Sequence, residues 1–396
     1  MNQLVKEAKA LEPELIANRR YLHAHPECGY ELTKTCAFVM KELQSYGYEP
    51  VYLCESGIVA TVGKTNGKTI LLRADMDALP LTETTDLPFC ATNGNAHACG
   101  HDLHTAMLLG AAKLLKQHES ELNGCVKLMF QPDEEGTSPQ GISGADKMLA
   151  AGVLENPKVD VVFSMHVMSG AYPSGTIHTR KGPLMSSCDN VEIMIQGKGT
   201  HGSQPQNGVD PINIAMHIYQ GLQNLIAREL DPAQQAVLTI GSINGGEAGN
   251  VIADSVRMRG TLRTTMETTR TYFKERITSI VTNSAQMFNG QGEVAFLHGI
   301  PSVYNAPDLT ADVMRYANAL FDEPVYEMAD PMSGSDDISV LSQAVPTCYV
   351  MLGGGTAEEG YHYAHHNPNI LFNETIMYKG TALYAQIALE WLKHNG

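Results

Sequence analysis

The chain has 396 residues, room for two or three domains at roughly 150 residues each, and its 43% hydrophobic and 18% charged residues exclude disorder and a disulfide-stapled miniprotein. Lys plus Arg number 27 and Asp plus Glu 43, a formal charge of -16 at pH 7. With no dense Lys/Arg run, that balance argues against nucleic acid and anionic membrane as partners. No window approaches the roughly 18 uninterrupted apolar residues of a spanning helix.

The first 22 residues mix Leu4, Val5, Ala8 and Leu11 with Lys6, Glu7 and Glu12, which reads as an amphipathic helix and not as a signal peptide, so cytoplasmic residence is expected. From 49 to 182, short β-rich runs alternate with helical stretches, the order of a mostly parallel sheet covered by helices. Strands are predicted at 58–62, 69–74, 126–131 and 159–166. Asp102 is the expected cap of a helix whose apolar face runs Leu103, Met107, Leu108, Ala111, Leu114 and Leu115, and Ser143 of a second helix reaching Leu154. The stretch 185–300 reads as strand 190–196, helix 211–229, strand 236–243, strand 255–264, helix 268–288 and strand 293–298. That β-α-β-β-α-β order is the split ferredoxin-like unit. After Pro301 the α/β rhythm resumes with a strand at 347–352 and a long helix at 374–393. The predicted fold class is therefore α/β. A large, mostly parallel-sheet domain built from residues 1–184 and 301–396 carries an inserted ferredoxin-like α+β domain at 185–300.

Eight cysteines lie scattered without C-x-x-C pairs, and only Cys99 has histidines close in sequence. The run from His97 to His104 holds four soft or borderline metal ligands, and thiolate and imidazole suit zinc-type ions. Cys99 and His101 fall on a strand-to-helix turn where both side chains could meet, although buried Cys and surface His are common without metal. Glu134 and Glu135 follow an apolar strand, at the carboxyl end where open α/β sheets gather ligands. Adjacent side chains leaving an extended segment point to opposite sides. One of the two could thus bind metal while the other faces a water as general base; a solvated acidic turn is the plainer alternative. His166 closes the next apolar strand, and His365-His366-Asn367-Pro368 precedes the last helix.

Several phrases, in order along the chain, resemble the aminoacylase/carboxypeptidase metallopeptidases. They are Arg73-Ala74-Asp75-Met76-Asp77-Ala78-Leu79-Pro80, His97-Ala98-Cys99-Gly100-His101-Asp102, Phe130-Gln131-Pro132 with Glu134-Glu135-Gly136, and Gly197-Lys198-Gly199-Thr200-His201 followed by Gly208-Val209-Asp210-Pro211. The resemblance is closest to the amidohydrolase branch that contains hippurate hydrolases, indole-acetyl-amino-acid hydrolases and N-acetyldiaminopimelate deacetylases. It implies two divalent metal ions (zinc, manganese, cobalt or nickel) bound by Cys99, His101, Glu135, His166 and His366, with Glu134 as general base. His366 is preferred to His365 because it occupies the His-x-Pro position. Asp75 and Asp77 are expected to orient ligands, and His201 and Asn250 to donate to the scissile carbonyl oxygen. Arg263 is expected to meet a substrate carboxylate.

The implied activity is hydrolysis of the amide bond of an N-acyl amino acid or a dipeptide-like compound, by a homodimer or higher homo-oligomer formed through the insert. A carboxypeptidase or dipeptidase is the enzymatic alternative, and a catalytically silent binding protein the alternative from another class. The sequence departs from the branch pattern at Ala96, Leu103, Asp133, Met168-Ser169 and Ile338, which bears on substrate preference more than on chemistry.

Overall fold

The computed structural model describes residues 2–396, which divide into two compact units. The larger comprises Met1–Gly182, Tyr304–Asp330 and Val340–Gly396; the smaller comprises Pro183–Val303 and Pro331–Ser339. Residues 331–339, expected in the large domain, cluster with the smaller unit. Main-chain pairing is the reason: Met332 N–H donates to the Leu184 carbonyl at 2.8 Å and Ser186 N–H to the Met332 carbonyl at 3.0 Å.

The larger unit is built on an eight-stranded sheet. Its centre is four parallel strands in the order Cys125–Gln131, Thr69–Asp75, Val161–Ser169 and Thr347–Gly355. Every residue of Thr69–Asp75 and Cys125–Gln131 is buried, as central parallel strands covered on both faces must be. Antiparallel partners extend the sheet on both sides, Gly57–Gly63 beyond one end of this group and Ile177–Thr179 beyond the other. Because the four central strands run one way, their carboxyl ends share one edge.

Helix His101–Gln117 starts at that edge and packs against the central strands, with almost all of its residues buried. Its apolar character all round matches an enclosed position. Gly110 permits the closest approach there, since a β-carbon on it would stand 2.5 Å from the Leu15 side chain and 3.0 Å from Thr381. Those contacts come from helices Glu12–Ala24 and Met377–Asn395. The single N-terminal helix expected from the sequence is two, Gln3–Ala10 and Glu12–Ala24, parted at Leu11 with Pro13 in the first turn of the second. Proline lacks the N–H that a continuous helix would use at that point.

In the smaller unit the strands run in the order Ala236–Asn244, Ser255–Thr264, Cys188–Gln196, Gln291–Ile300, all antiparallel. Helices Pro211–Asn224 and Glu267–Met287 contribute to its separate core through Ile214, Ile218, Leu222, Phe273, Ile277 and Val281. This is the ferredoxin-like arrangement read from the order of elements. No helix among the described residues is long and apolar enough to cross a membrane.

Candidate metal centre

All five expected metal ligands, the expected base and the two expected orienting aspartates lie in the larger unit, at the carboxyl edge of its parallel strands. Cys99 and His101 flank Gly100, which is the N-cap of helix His101–Gln117 and has φ 89°. Glycine adopts that left-handed conformation freely, and Phe372 fills the place a β-carbon would take, at 3.0 Å. Asp102, the cap expected from the sequence, is instead inside the first turn. Its fully buried carboxylate accepts from Arg19 Nε at 2.7 Å and pairs with His23 Nδ1 at 2.8 Å. Burial would raise the Asp102 carboxyl, but Arg19 and His23 hold it below the usual carboxylate range. Arg19 also donates to Glu374 at 3.1 Å, which ties the start of this helix to both ends of the chain.

His101 is buried, and its Nδ1 donates to the Asp77 carbonyl at 2.9 Å. In the neutral ring the lone pair is therefore on Nε2, an atom that is buried without a hydrogen-bond partner. Facing that nitrogen are Glu134 Oε2 at 3.8 Å and Glu135 Oε1 at 4.0 Å. The two glutamates thus converge, contrary to the opposite-facing arrangement expected from an extended segment. The chain leaves the strand at Gln131 and turns at Asp133, whose φ is 47°. Asp77 then holds the turn, Oδ1 accepting from Glu134 N–H at 3.0 Å and Oδ2 from Glu135 N–H at 3.1 Å.

His166 lies three residues before the end of its strand, because pairing with Thr347–Gly355 continues to Ser169. Its Nδ1 donates to the Val167 carbonyl at 2.8 Å, and its Nε2 stands 3.4 Å from Cys99 Sγ. His366, at φ 65°, anchors its N–H on the Ala98 carbonyl and places Nε2 3.3 Å from Glu135 Oε1. Burial raises the Glu135 carboxyl, but His366 and His101 bring it below its ordinary value. The hydrogen bond to Glu135 raises His366 in turn.

Among the groups of side chains that bring one ligand atom each within 4.8 Å of one another are Cys99, His101 and His166; Cys99, Glu135 and His366; and His101, Glu134 and Glu135. Thiolate and imidazole bound tetrahedrally to one zinc lie about 3.6 Å apart, given bond lengths of about 2.3 and 2.05 Å, close to the 3.4 Å between Cys99 Sγ and His166 Nε2. The buried Nε2 of His101, which has no hydrogen-bond partner, fits the same interpretation, as does the proximity of Glu135 Oε1 to both His101 and His366. Unligated, these groups would carry a desolvation cost that hydrogen bonds do not repay.

Asp75 sits behind the ligands. It accepts from Arg73 Nη1 at 2.7 Å and from His104 Nδ1 at 2.6 Å, and His104 Nε2 accepts from Val167 N–H at 2.9 Å. Burial would raise the Asp75 carboxyl; His101, Arg73 and His104 hold it well below the usual range. Sequence reasoning counted His104 among four possible ligands without giving it this supporting role, and it passed over His23 and Arg19. The spacing of His104 from His101 placed it one helical turn on and offered a signal, whereas nothing local marked the other two.

The smaller unit holds the remaining expected residues. His201 lies on a two-residue strand paired with Val251–Ile252, and Gly202 N–H donates to the Asn250 carbonyl at 2.7 Å, so His201 and Asn250 are neighbours. His201 Nδ1 accepts from Ser203 N–H at 3.2 Å and stands 2.8 Å from its hydroxyl. A neutral ring in that arrangement carries its proton on Nε2. Arg263, on the strand Ser255–Thr264 opposite Val237, has an Nη1 that is buried without a partner.

Peptidase family M20/M25/M40 matches residues 71–390. The chain is 36% identical to thermostable carboxypeptidase 1 of Saccharolobus solfataricus over 99% of its length and 98% of that protein. It is 35% identical to N-acetylcysteine deacetylase of Bacillus subtilis over 96% of its length and 97% of the relative. A dinuclear metal-binding peptidase of the M20 family from Bacillus subtilis superposes with a TM-score of 0.83 at 33% identity, covering 97% of this chain and 99% of that one.

Proposed function

The chain belongs to peptidase family M20/M25/M40, and on that premise we propose that it is a metal-dependent amidohydrolase that cleaves N-acyl amino acids into a carboxylate and a free amine. The observation that carries the reading is the meeting of Glu134 and Glu135 at the buried Nε2 of His101, which has no hydrogen-bond partner. Two divalent ions, of zinc, manganese, cobalt or nickel, held by Cys99, His101, Glu135, His166 and His366, would polarise the scissile carbonyl and make water a nucleophile near neutral pH. Glu134 takes the proton of the attacking water and returns it to the leaving nitrogen. Asp77 keeps that carboxylate in place by gripping the turn beneath it, and Asp75 steadies the wall behind His101. His201, protonated on Nε2, donates to the developing oxyanion. Asn250 supplies a second donor, and Arg263 pairs with the substrate carboxylate.

The 185–300 insert serves as lid and dimerisation domain of a homo-oligomer. Support comes from Ile212, Met216 and Tyr219, exposed along one face of helix Pro211–Asn224, and from Ala236–Asn244 at the edge of its sheet. Cytoplasmic residence agrees with eight free cysteines.

A second reading, carboxypeptidase or dipeptidase, is favoured by the name of the 36% identical relative. A panel of N-acetyl amino acids and dipeptides on metal-reconstituted protein separates the two. Higher kcat/KM on the N-acyl series is expected; faster turnover of dipeptides would favour the second reading, and none of either by metal-loaded protein would leave a silent binding protein.

A further inference from the structure

The carboxyl end of the strand Val161–Ser169 offers two main-chain N–H groups to imidazole rings on other segments. Val167 donates to His104 Nε2 at 2.9 Å and Ser169 to His365 Nε2 at 3.2 Å. A ring nitrogen that accepts an N–H bears a lone pair, so each neutral ring carries its proton on Nδ1. For His104 that proton goes to Asp75. For His365 the group in reach is sulfur, with Nδ1 3.5 Å from Cys99 Sγ. His166 approaches the same sulfur with its lone-pair nitrogen at 3.4 Å. Two imidazoles therefore flank Cys99 at nearly equal distance and with opposite polarity.

We propose that His365 is a positioning residue whose Nδ1–H donates a hydrogen bond to the metal-binding thiolate of Cys99, its tautomer fixed by Ser169. This rests on the reading of Cys99 as a metal ligand. Distance alone would also suit a sixth ligand, because nitrogen and sulfur on one ion stand about 3.6 Å apart. The Ser169 N–H decides between the two. A neutral ring that ligates through Nδ1 carries its proton on Nε2, which would face another N–H at 3.2 Å. Ser169 is not free to turn away, since its hydroxyl donates to the Leu371 carbonyl at 2.6 Å and the residue pairs with Gly355 across the sheet. The His365 ring is held between His166 and the edge of Phe372, with centroids at 5.1 and 5.6 Å. An N–H donated to thiolate draws electron density from sulfur, and partners of this kind tune the metal that the ligand holds.

The thiolate-to-cobalt charge-transfer absorption of cobalt(II)-loaded protein reports on the sulfur without reference to turnover. Cys99→Ser should abolish that band. His365→Leu should keep two cobalt ions per chain and move the band to longer wavelength, because sulfur without its hydrogen bond gives up an electron more readily. His365→Gln, which keeps an acceptor for Ser169 but no donor at sulfur, carries the same expectation and covers the case in which the Leu variant fails to fold. His365→Asn, whose amide N–H group falls near the Nδ1 position, should restore the band toward its original place. Loss of one cobalt from His365→Gln would make His365 a ligand and overturn the proposal. So would an unmoved band in a variant that retains both ions. A band that survives Cys99→Ser would instead overturn the ligand reading beneath it.

Discussion

Asp77 in the larger unit and His201 in the smaller are both candidate site residues, yet their surroundings differ completely. Asp77 is fully buried, with each carboxylate oxygen accepting a main-chain N–H of the glutamate turn. His201 is exposed, and among the described residues its ring is bonded only to Ser203, two residues away. In the first region side-chain positions are fixed by the protein before any ligand arrives, at the expense of burying several charges. In the second, strand pairing fixes the main chain and leaves the side chain to be positioned by what it meets. Precise catalytic placement favours the first arrangement; adaptation to different substrates favours the second.

Three substitutions sharpen or break this contrast. The largest effect is expected for Glu134→Gln, which should retain metal by elemental analysis while kcat falls by about 10² to 10⁴. Near-normal turnover of the metal-loaded variant would remove Glu134 from the chemistry. His201→Ala should lower kcat by about 10² to 10³, with metal content and metal affinity unchanged, as befits a residue outside the buried network. A parallel loss of metal would mean that the two regions are less independent than described. Asp77→Asn should weaken metal binding by roughly 10- to 100-fold, measured by competition with a chelator. Unchanged affinity would show that the turn holds itself.

Four of the five candidate ligands were legible in short phrases with their neighbours, Cys99 with His101, Glu135 after Glu134 and His366 after His365, and the fifth, His166, as the close of an apolar strand. The order of strands and helices was legible from the alternation of apolar runs. What supports the ligands was not. Arg19 and His23 meet Asp102 across 83 and 79 residues, and nothing in their own stretch of sequence points to it. Asp102 looked like a cap because Asp favours that position. Gly100, whose left-handed backbone begins the helix, leaves that carboxylate available to Arg19 instead. The convergence of Glu134 and Glu135 depends on the positive φ of Asp133, which no local pattern announced.

The bond from Arg19 to Glu374 spans 355 residues of chain. Synthesis proceeds from the amino terminus at roughly 5–20 residues per second, so a nascent Arg19 waits roughly 20–70 s for this partner. Glu374 emerges eight residues after His366, and until then the guanidinium that braces the first turn of helix His101–Gln117 has only Asp102 and His23. The network around the candidate ligands is thus completed only after the last of them, His366, has been made.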